Sequence, residues 1–401
     1  MYPHEILDLY RLMRNQWLPP ASLRALQERK FLTLVHHAYH NVPYYRRLFD
    51  SVNLKPADIR GLCDLEKIPM TSKADLLGPP LEEVMAKGMA PEDCREAITS
   101  GATGMPFRVY YGRKDSTILN LGWVRTYLIH GTKPWDKIAG FSGWRVADSN
   151  MPWYERLGIW RRKMLSALDG PDQWIAELRR WNPQVVTGYC MTLNLLASAL
   201  KERPCDSIRP KVVLHTSALL HDYDRQLIGE ALHARVVDIY GSHEGGCIAW
   251  ECPQCSGYHI NLDLVALEII KDGRAAPRGE DGELVITNLH SHAMPLMRNI
   301  QGRIDDHIVL PSGTRVSSHP FYWALVVIRG VRQWRVIQEE KDLLRVEVVA
   351  GKEWDSSVPS SIETNLRTIV HDDMRIAIAL VDRIDISPAQ KFRSDRTLVF
   401  L

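Results

Sequence analysis

Three stretches of this 401-residue chain carry side chains whose types and spacing could do chemistry. The first is Thr99-Ser100-Gly101-Ala102-Thr103-Gly104-Met105-Pro106, where hydroxyls and glycines alternate just before a predicted strand. Glycine lets the backbone approach an anion closely, and Ser/Thr hydroxyls with main-chain N–H groups can cradle phosphate oxygens. No Gly-Lys-Ser/Thr closes the loop, so it is not a Walker P-loop, and taken alone it reads equally well as a polar turn. The second stretch is Asp238-Ile239-Tyr240-Gly241-Ser242-His243-Glu244, at the end of a predicted strand. Loops at the carboxyl ends of parallel strands are where α/β sheets bind ligands. The third is Cys247-x4-Cys252-x2-Cys255-x3-His259, three thiols and an imidazole within thirteen residues. That donor set suits tetrahedral Zn²⁺, and four filled positions point to a structural site, because a catalytic zinc keeps one open. Buried free thiols, or a redox pair, are the other readings of the same cluster.

Composition narrows the classes. Hydrophobic residues make up 45% and charged residues 24%, which is ordinary globular usage. Fifty Lys+Arg against forty-eight Asp+Glu leave a net of +2, which gives no electrostatic reason for a nucleic-acid or membrane-surface partner. The longest uncharged apolar run, 321–328, is far short of the ~20 residues a bilayer span needs. The N-terminus mixes acids and bases among its apolar residues and lacks a signal-peptide core, so a cytoplasmic location is expected. Seven cysteines, three of them clustered, are not a secreted disulfide framework.

The elements that must position these stretches follow from periodicity. Residues 1–66 read as helices, broken at Pro19-Pro20 and again at Asn41-Val42-Pro43. From 96 to 300 short apolar runs (108–111, 137–141, 185–187, 212–215, 235–239) alternate with helical patterns (116–130, 172–181, 191–202, 223–232). That alternation predicts a largely parallel sheet with helices on its faces. Residues 264–289 read as an antiparallel hairpin around a Gly/Pro-rich turn. The tail reads as a small α+β unit, with strands at 335–338, 344–349 and 374–381 and a helix at 360–370. The boundary is expected at Gly302-Arg303-Ile304-Asp305-Asp306, giving domains 1–304 and 305–401.

The hydroxyl–glycine loop resembles the phosphate loop of adenylate-forming enzymes, the acyl-CoA synthetase superfamily. The segment HHAYHNVPYYRRLFDSVNLKPADIRGLCDLEKIPMTSKADLL resembles the N-terminal signature of the phenylacetate–CoA ligase, capsular polysaccharide synthesis and coenzyme F390 synthetase family. The resemblance runs over nearly the whole chain. It implies an α/β fold with a large N-terminal mixed α/β domain and a small mobile α+β C-terminal domain. It also implies ATP-dependent conversion of a carboxylic acid, here a small aromatic one, to an acyl adenylate, followed by transfer to CoA or another thiol or amine.

By that resemblance, Thr99, Ser100, Gly101, Thr103 and Gly104 hold phosphate. Tyr240 stacks on adenine beside Gly241, and Glu244 helps hold Mg²⁺, a cation that prefers hard oxygen ligands. Lys391, in Ser387-Pro388-Ala389-Gln390-Lys391-Phe392-Arg393, reaches the active site and offsets charge that builds on the α-phosphate. Asp305 is the pivot of the small domain, and Arg303 stands beside it in the hinge motif, where the family meets the nucleotide. Trp144, Tyr189 and His215 lie where the family lines its acyl pocket. The Cys247, Cys252, Cys255 and His259 set falls where the family often carries Cys and His. A homodimer is among the assemblies the resemblance allows.

The chain departs from the family pattern at three places. Met105 replaces the loop lysine and His243 replaces a threonine. Between Arg298 and Arg303 the usual spacer is absent, and with it the Gly-Asp carboxylate that binds ribose. Arg303 cannot replace that carboxylate, because a guanidinium donates and never accepts. Two other readings therefore stand beside acid activation: a non-adenylating binding or partner protein, and an acyltransferase that needs no ATP.

Overall fold

The computed structural model describes residues 3–99, 107–142, 153–166, 169–217, 220, 222–254, 257–301, 307–311, 315–317, 321, 324–325, 328–367, 369–370, 374–384 and 397–400. The chain divides into two compact units, Met1–Ala97 with Arg108–Gln301, and Ile98–Phe107 with Gly302–Leu401.

In the first unit the helices are α1 (Pro3–Asn15), α2 (Pro20–Asn41), α3 (Pro43–Ser51), α4 (Lys73–Leu77), α5 (Leu81–Val84), α6 (Arg113–Ile129), α7 (Trp153–Arg156), α8 (Pro171–Trp181), α9 (Cys190–Glu202) and α10 (Asp222–Leu232). The strands are β1 (Arg95–Thr99) and β2 (Phe107–Tyr111), whose residues 98–99 and 107 are counted with the second unit, and β3 (Ile138–Ser142), β4 (Arg162–Ser166), β5 (Val185–Tyr189), β6 (Val212–Thr216), β7 (Arg235–Ser242), β8 (Gly246–Glu251), β9 (Tyr258–Ile260), β10 (Val265–Lys271), β11 (Arg274–Ala275), β12 (Glu283–Asn288) and β13 (Asn299–Gln301). The central seven-stranded sheet has the order β4-β3-β5-β6-β7-β8-β9. Its first five strands are parallel, and β8 and β9 are added antiparallel. β5 and β6 read Val-Val-Thr-Gly-Tyr and Val-Val-Leu-His-Thr, the near-continuous apolar run of strands covered on both faces.

One face packs on α8, α9 and α10 through Phe141, Trp174, Leu193 and Val213. The other packs on α6 through Trp123, Val185, Val237 and Trp250. Helix α8 starts with Pro171 at its first position, where the missing N–H costs nothing, and stops at Asn182 in the left-handed conformation (φ 50°). The predicted 264–289 hairpin is β10 against β12, in the order β11-β10-β12-β13. The N-terminal helices form their own core of Phe31, Tyr45, Phe49 and Ile68, reaching Ala266, Leu289 and Met297.

The second unit contains β14 (His307–Val309), β15 (Arg315–Ser317), β16 (Val331–Glu340), β17 (Leu343–Ala350), α11 (Val358–Arg367), β18 (Arg375–Leu380) and β19 (Thr397–Phe400). Its four-stranded sheet runs β18-β17-β16-β19, with β18 parallel to β17. Ile362 and Leu366 of α11 pack with Trp334, Val336 and Val346 of that sheet.

Candidate active site

The parallel strands present their carboxyl ends along one edge of the central sheet, and Tyr189, His215, Tyr240, Gly241, His243 and Glu244 lie at or next to that edge. β7 ends in Tyr240-Gly241-Ser242, a tight turn carries His243 and Glu244, and β8 begins at Gly246. The turn is close-packed. A Cβ on Gly241 would meet the Gly246 carbonyl at 2.7 Å and the Trp123 ring at 3.1 Å. Gly246 has φ +67°, and a Cβ there would strike Leu119 at 2.8 Å. Three neighbours hold the turn's backbone. Tyr111 donates its hydroxyl to the His243 carbonyl and, at 3.2 Å, to that of Glu244. Asn288 donates to the Glu244 carbonyl at 2.7 Å, and the Gly245 N–H donates to Ser242 Oγ at 2.8 Å. Burial, with the Glu244 charge second, pushes the Tyr111 phenol well above its ordinary range, so it stays a donor.

This frame buries the Glu244 carboxylate at 3% exposure. Its Oε1 lies 2.8 Å from Lys73 Nζ, off the axis of a hydrogen bond, so the contact is an ion pair and Oε1 accepts no hydrogen bond. Lys73 opens α4, whose start is fixed by a Ser72–Asp75 capping box. A buried carboxylate with one cationic neighbour and an unfilled lone pair fits a hard divalent cation such as Mg²⁺. Tyr240 exposes 43% of its surface, and burial, then the Glu244 charge, raises its phenol. An aromatic ring this exposed at a strand end is available for stacking.

One residue back from the edge lies a second polar group. His215 of β6 is in register with Gly188 of β5 and Asp238 of β7. His215 is fully buried and its Nδ1 lies 2.7 Å from Asp238 Oδ1. Asp238 Oδ2 also accepts the Tyr258 hydroxyl, and the Asp238 N–H donates to Glu251 at 3.2 Å. His215 Nε2 is buried without a hydrogen-bond partner. Tyr189, the last residue of β5, is half-buried, and burial raises its phenol.

The structure does not support the zinc expectation. Cys247 is buried in β8 against α6, its sulfur 3.2 Å from Thr126 Oγ1, and burial pushes its thiol up to about 11, away from the thiolate a metal needs. His259 of β9 stacks on Trp250, with centroids 4.5 Å apart and planes at 9°. Among the described residues, no group of three His, Cys, Asp or Glu side chains forms a metal-holding cluster. The physical reason is strand formation: Cys247 and His259 sit in the two added strands, where their side chains are used for packing, and Cys252 lies in the connection between those strands.

Of the other expected site residues, Thr99 closes β1. Ser100, Gly101, Thr103, Gly104, Trp144, Cys255, Arg303, Asp305 and Lys391 lie outside the described residues. The sequence reading gave no role to Lys73, Tyr111, Asp238, Tyr258 or Asn288. Lys73 sits inside the quoted N-terminal signature, but one lysine at a helix start reads as solvated surface.

The architecture matches known proteins along nearly its full length. A solved 2-hydroxyisobutyryl-CoA ligase in the postadenylation state aligns with TM-score 0.74 at 19% identity, over 96% of this chain and 90% of that one. A benzoate CoA ligase from Burkholderia xenovorans LB400 aligns with TM-score 0.54 at 15% identity, over 77% and 69% of the two chains. The fold is that of the adenylate-forming CoA ligases. In sequence, the phenylacetate-coenzyme A ligase of Escherichia coli is 32% identical over 304 residues, 69% of this chain and 65% of that protein. The phenylacetate-coenzyme A ligase of Thermus thermophilus is 28% identical over 302 residues, 70% of this chain and 65% of that protein. The chain is thus a homologue of phenylacetate–coenzyme A ligases, matched over just under two thirds of their length. No protein-family profile matches it.

Proposed function

We propose that this chain activates a carboxylic acid with ATP, forming an acyl adenylate and pyrophosphate, and passes the acyl group to CoA or another thiol or amine. The carrying observation is Glu244: a buried carboxylate on the carboxyl edge of a parallel sheet, faced by one ammonium and still open to a cation. The homology to phenylacetate–coenzyme A ligases supports the same reading.

In this mechanism an oxygen of the substrate carboxylate attacks the α-phosphorus of ATP, and pyrophosphate leaves. Mg²⁺, when bound, supplies positive charge beside the phosphates. Glu244 would hold it, and the turn built by Tyr111, Asn288 and Ser242 keeps that carboxylate fixed. Lys73, whose side chain is 42% exposed, would share the Glu244 carboxylate with that cation. Tyr240 offers its ring to the adenine. The 99–104 loop, Lys391, Arg303 and the Asp305 pivot take the roles their motifs have in the family, in an adenylation domain of residues 1–304 and a cap of residues 305–401.

Acid-dependent ATP–pyrophosphate exchange tests the reading. Exchange with at least one aryl or short aliphatic acid, lost in Lys391→Ala and Glu244→Gln, is expected. No exchange across a broad panel would sink it. The missing Gly-Asp carboxylate between Arg298 and Arg303 favours a second reading, acyl transfer from a preformed adenylate or thioester. That reading gives transfer from a supplied acyl adenylate without any exchange.

A further inference from the structure

Buried polar groups in folded proteins are almost always hydrogen-bonded, and each exception needs a reason. Among the described residues, His215 Nε2 is such an exception at the ligand edge of the sheet. The ring around it is firmly built. Asp238 can only accept, so the imidazole Nδ1 carries the hydrogen it shares across 2.7 Å. Asp238 is fixed in turn by the Tyr258 hydroxyl and by its own N–H on Glu251. Glu251 is clamped through both oxygens by Arg225, at 2.9 and 3.0 Å. This is a relay of four side chains whose outcome is one oriented imidazole. With the hydrogen on Nδ1, Nε2 presents a bare lone pair. Leaving an acceptor unsatisfied in the interior is unfavourable, so packing alone does not account for the arrangement.

The position bears on substrate. His215 is one residue from the end of β6, beside Gly188, which is one residue from the end of β5. Tyr189 and Thr216, the last residues of those two strands, are only half-buried. A carboxylic acid bound at this edge would set its far end near the imidazole.

We infer that His215 determines specificity: its Nε2 accepts a hydrogen bond from the acid, so the preferred substrate is a carboxylic acid bearing a hydroxyl or amino group. Asp238 and Tyr258 are positioning residues that hold the tautomer. The inference rests on the acid-activation reading and deepens it. A site built to hydrogen-bond a substrate O–H or N–H rejects the analogue lacking it far more strongly than an apolar pocket rejects a methylene.

The test is pyrophosphate exchange on the whole chain, with matched hydroxy, amino, methoxy and unsubstituted acids of the benzoate, phenylacetate and short aliphatic series. The expected result is a kcat/KM at least ~10²-fold higher for the best hydroxy or amino acid than for its methoxy and unsubstituted partners. In His215→Phe that ratio collapses towards one. In Asp238→Asn the amide can donate to Nδ1 and move the hydrogen to Nε2, so the ratio falls there as well. Calorimetric binding of the same acids should follow the same order. The wild-type panel decides the question even if both variants fail to fold. Equal efficiency for the methoxy or unsubstituted acids overturns this inference and leaves acid activation standing. Absence of exchange with every acid overturns acid activation itself, and the inference with it.

Discussion

Lys73 and Glu244 form a 2.8 Å ion pair in which the lysine side chain is 42% exposed and the carboxylate 4%. The asymmetry matters. A buried charge that loses its partner is costly, whereas an exposed lysine loses little by moving. If Glu244 holds Mg²⁺ as proposed, the ammonium and the cation share one carboxylate and should compete. Lys73→Met is expected to lower stability and to increase the rise in melting temperature on adding Mg²⁺. Glu244→Gln should abolish that Mg²⁺ response. Thermal melts with and without the metal measure both. An equal Mg²⁺ response in wild type and Lys73→Met would remove the competition.

Gly241 sets the shape of the same turn. Its missing Cβ leaves room for the Gly246 carbonyl, which would stand 2.7 Å away, and that backbone atom cannot rotate aside. Gly241→Ala should cost about 1–3 kcal/mol in urea unfolding, as overpacking does. It should also lower exchange activity by displacing Glu244. A variant of unchanged stability and activity would show the turn to be looser than drawn.

How much of this was legible in the sequence depends on which forces fix each part. The parallel strands at 185–187 and 212–215 announced themselves because burial on both faces demands unbroken apolar runs. The 264–289 hairpin was equally plain from its turn. The two antiparallel strands at Gly246–Glu251 and Tyr258–Ile260 were not, because their cysteines and histidine suggested a ligand set. Nothing in residue spacing says that Cys247 faces Thr126 or that His259 lies flat on Trp250.

The motif puts Tyr240 and Glu244 at a strand end, and the structure has them at the end of β7 and in the turn that follows. The motif gives no account of what holds them. Tyr111 and Asn288 are distant in sequence from the turn they brace, at separations of 133 and 44 residues from Glu244. Such contacts arise only from tertiary packing. His215 is the instructive intermediate. Resemblance assigns it to the acyl pocket as an expectation, whereas its full burial and its pairing with Asp238 come from strand register.

Cys247 offers a direct check on the cluster. The buried sulfur is held by Thr126, and its thiol is pushed up to about 11. Chelator treatment should leave the melting temperature unchanged. Alkylation of the folded chain should modify the exposed Cys63 well before Cys247. Stoichiometric zinc released by chelation, together with a fall in melting temperature, would restore the metal site.

Arg125 and Asp263 make the most deeply buried ion pair among the described residues, at 0% and 2% side-chain exposure. Arg125 donates through both terminal nitrogens to the carboxylate and also to the Leu12 carbonyl, and Asn15 donates to Asp263, so the pair ties α1 to the sheet unit. Removing one partner strands the other charge. Asp263→Asn should cost about 3–5 kcal/mol in chemical denaturation. The replacement of both residues by apolar ones of similar size should cost less than the single change. The opposite order would contradict the desolvation argument.

Histidine burial sets the response to acid. Burial, then Arg235, lowers His130 from 6.5 to about 4, and burial, then Lys30, takes His290 well below 6.5. Both rings stay neutral in the folded chain while their unfolded counterparts take up protons. Stability contributed by this difference is complete above pH 6.5 and is lost as pH falls towards the folded values. His292 acts in the other direction. Its hydrogen bond to Asp115 raises its pKa, so its contribution is present below 6.5 and fades as pH rises through the folded value. Burial also lowers His259, so three lowered rings outweigh one raised ring, and the melting temperature should fall between neutral pH and about 5, above the ordinary carboxylate range. His290→Asn should flatten that fall and His292→Asn should steepen it. Melts across the window compare the slopes, and a His290→Asn slope equal to wild type would show that this ring is not the acid-sensitive group.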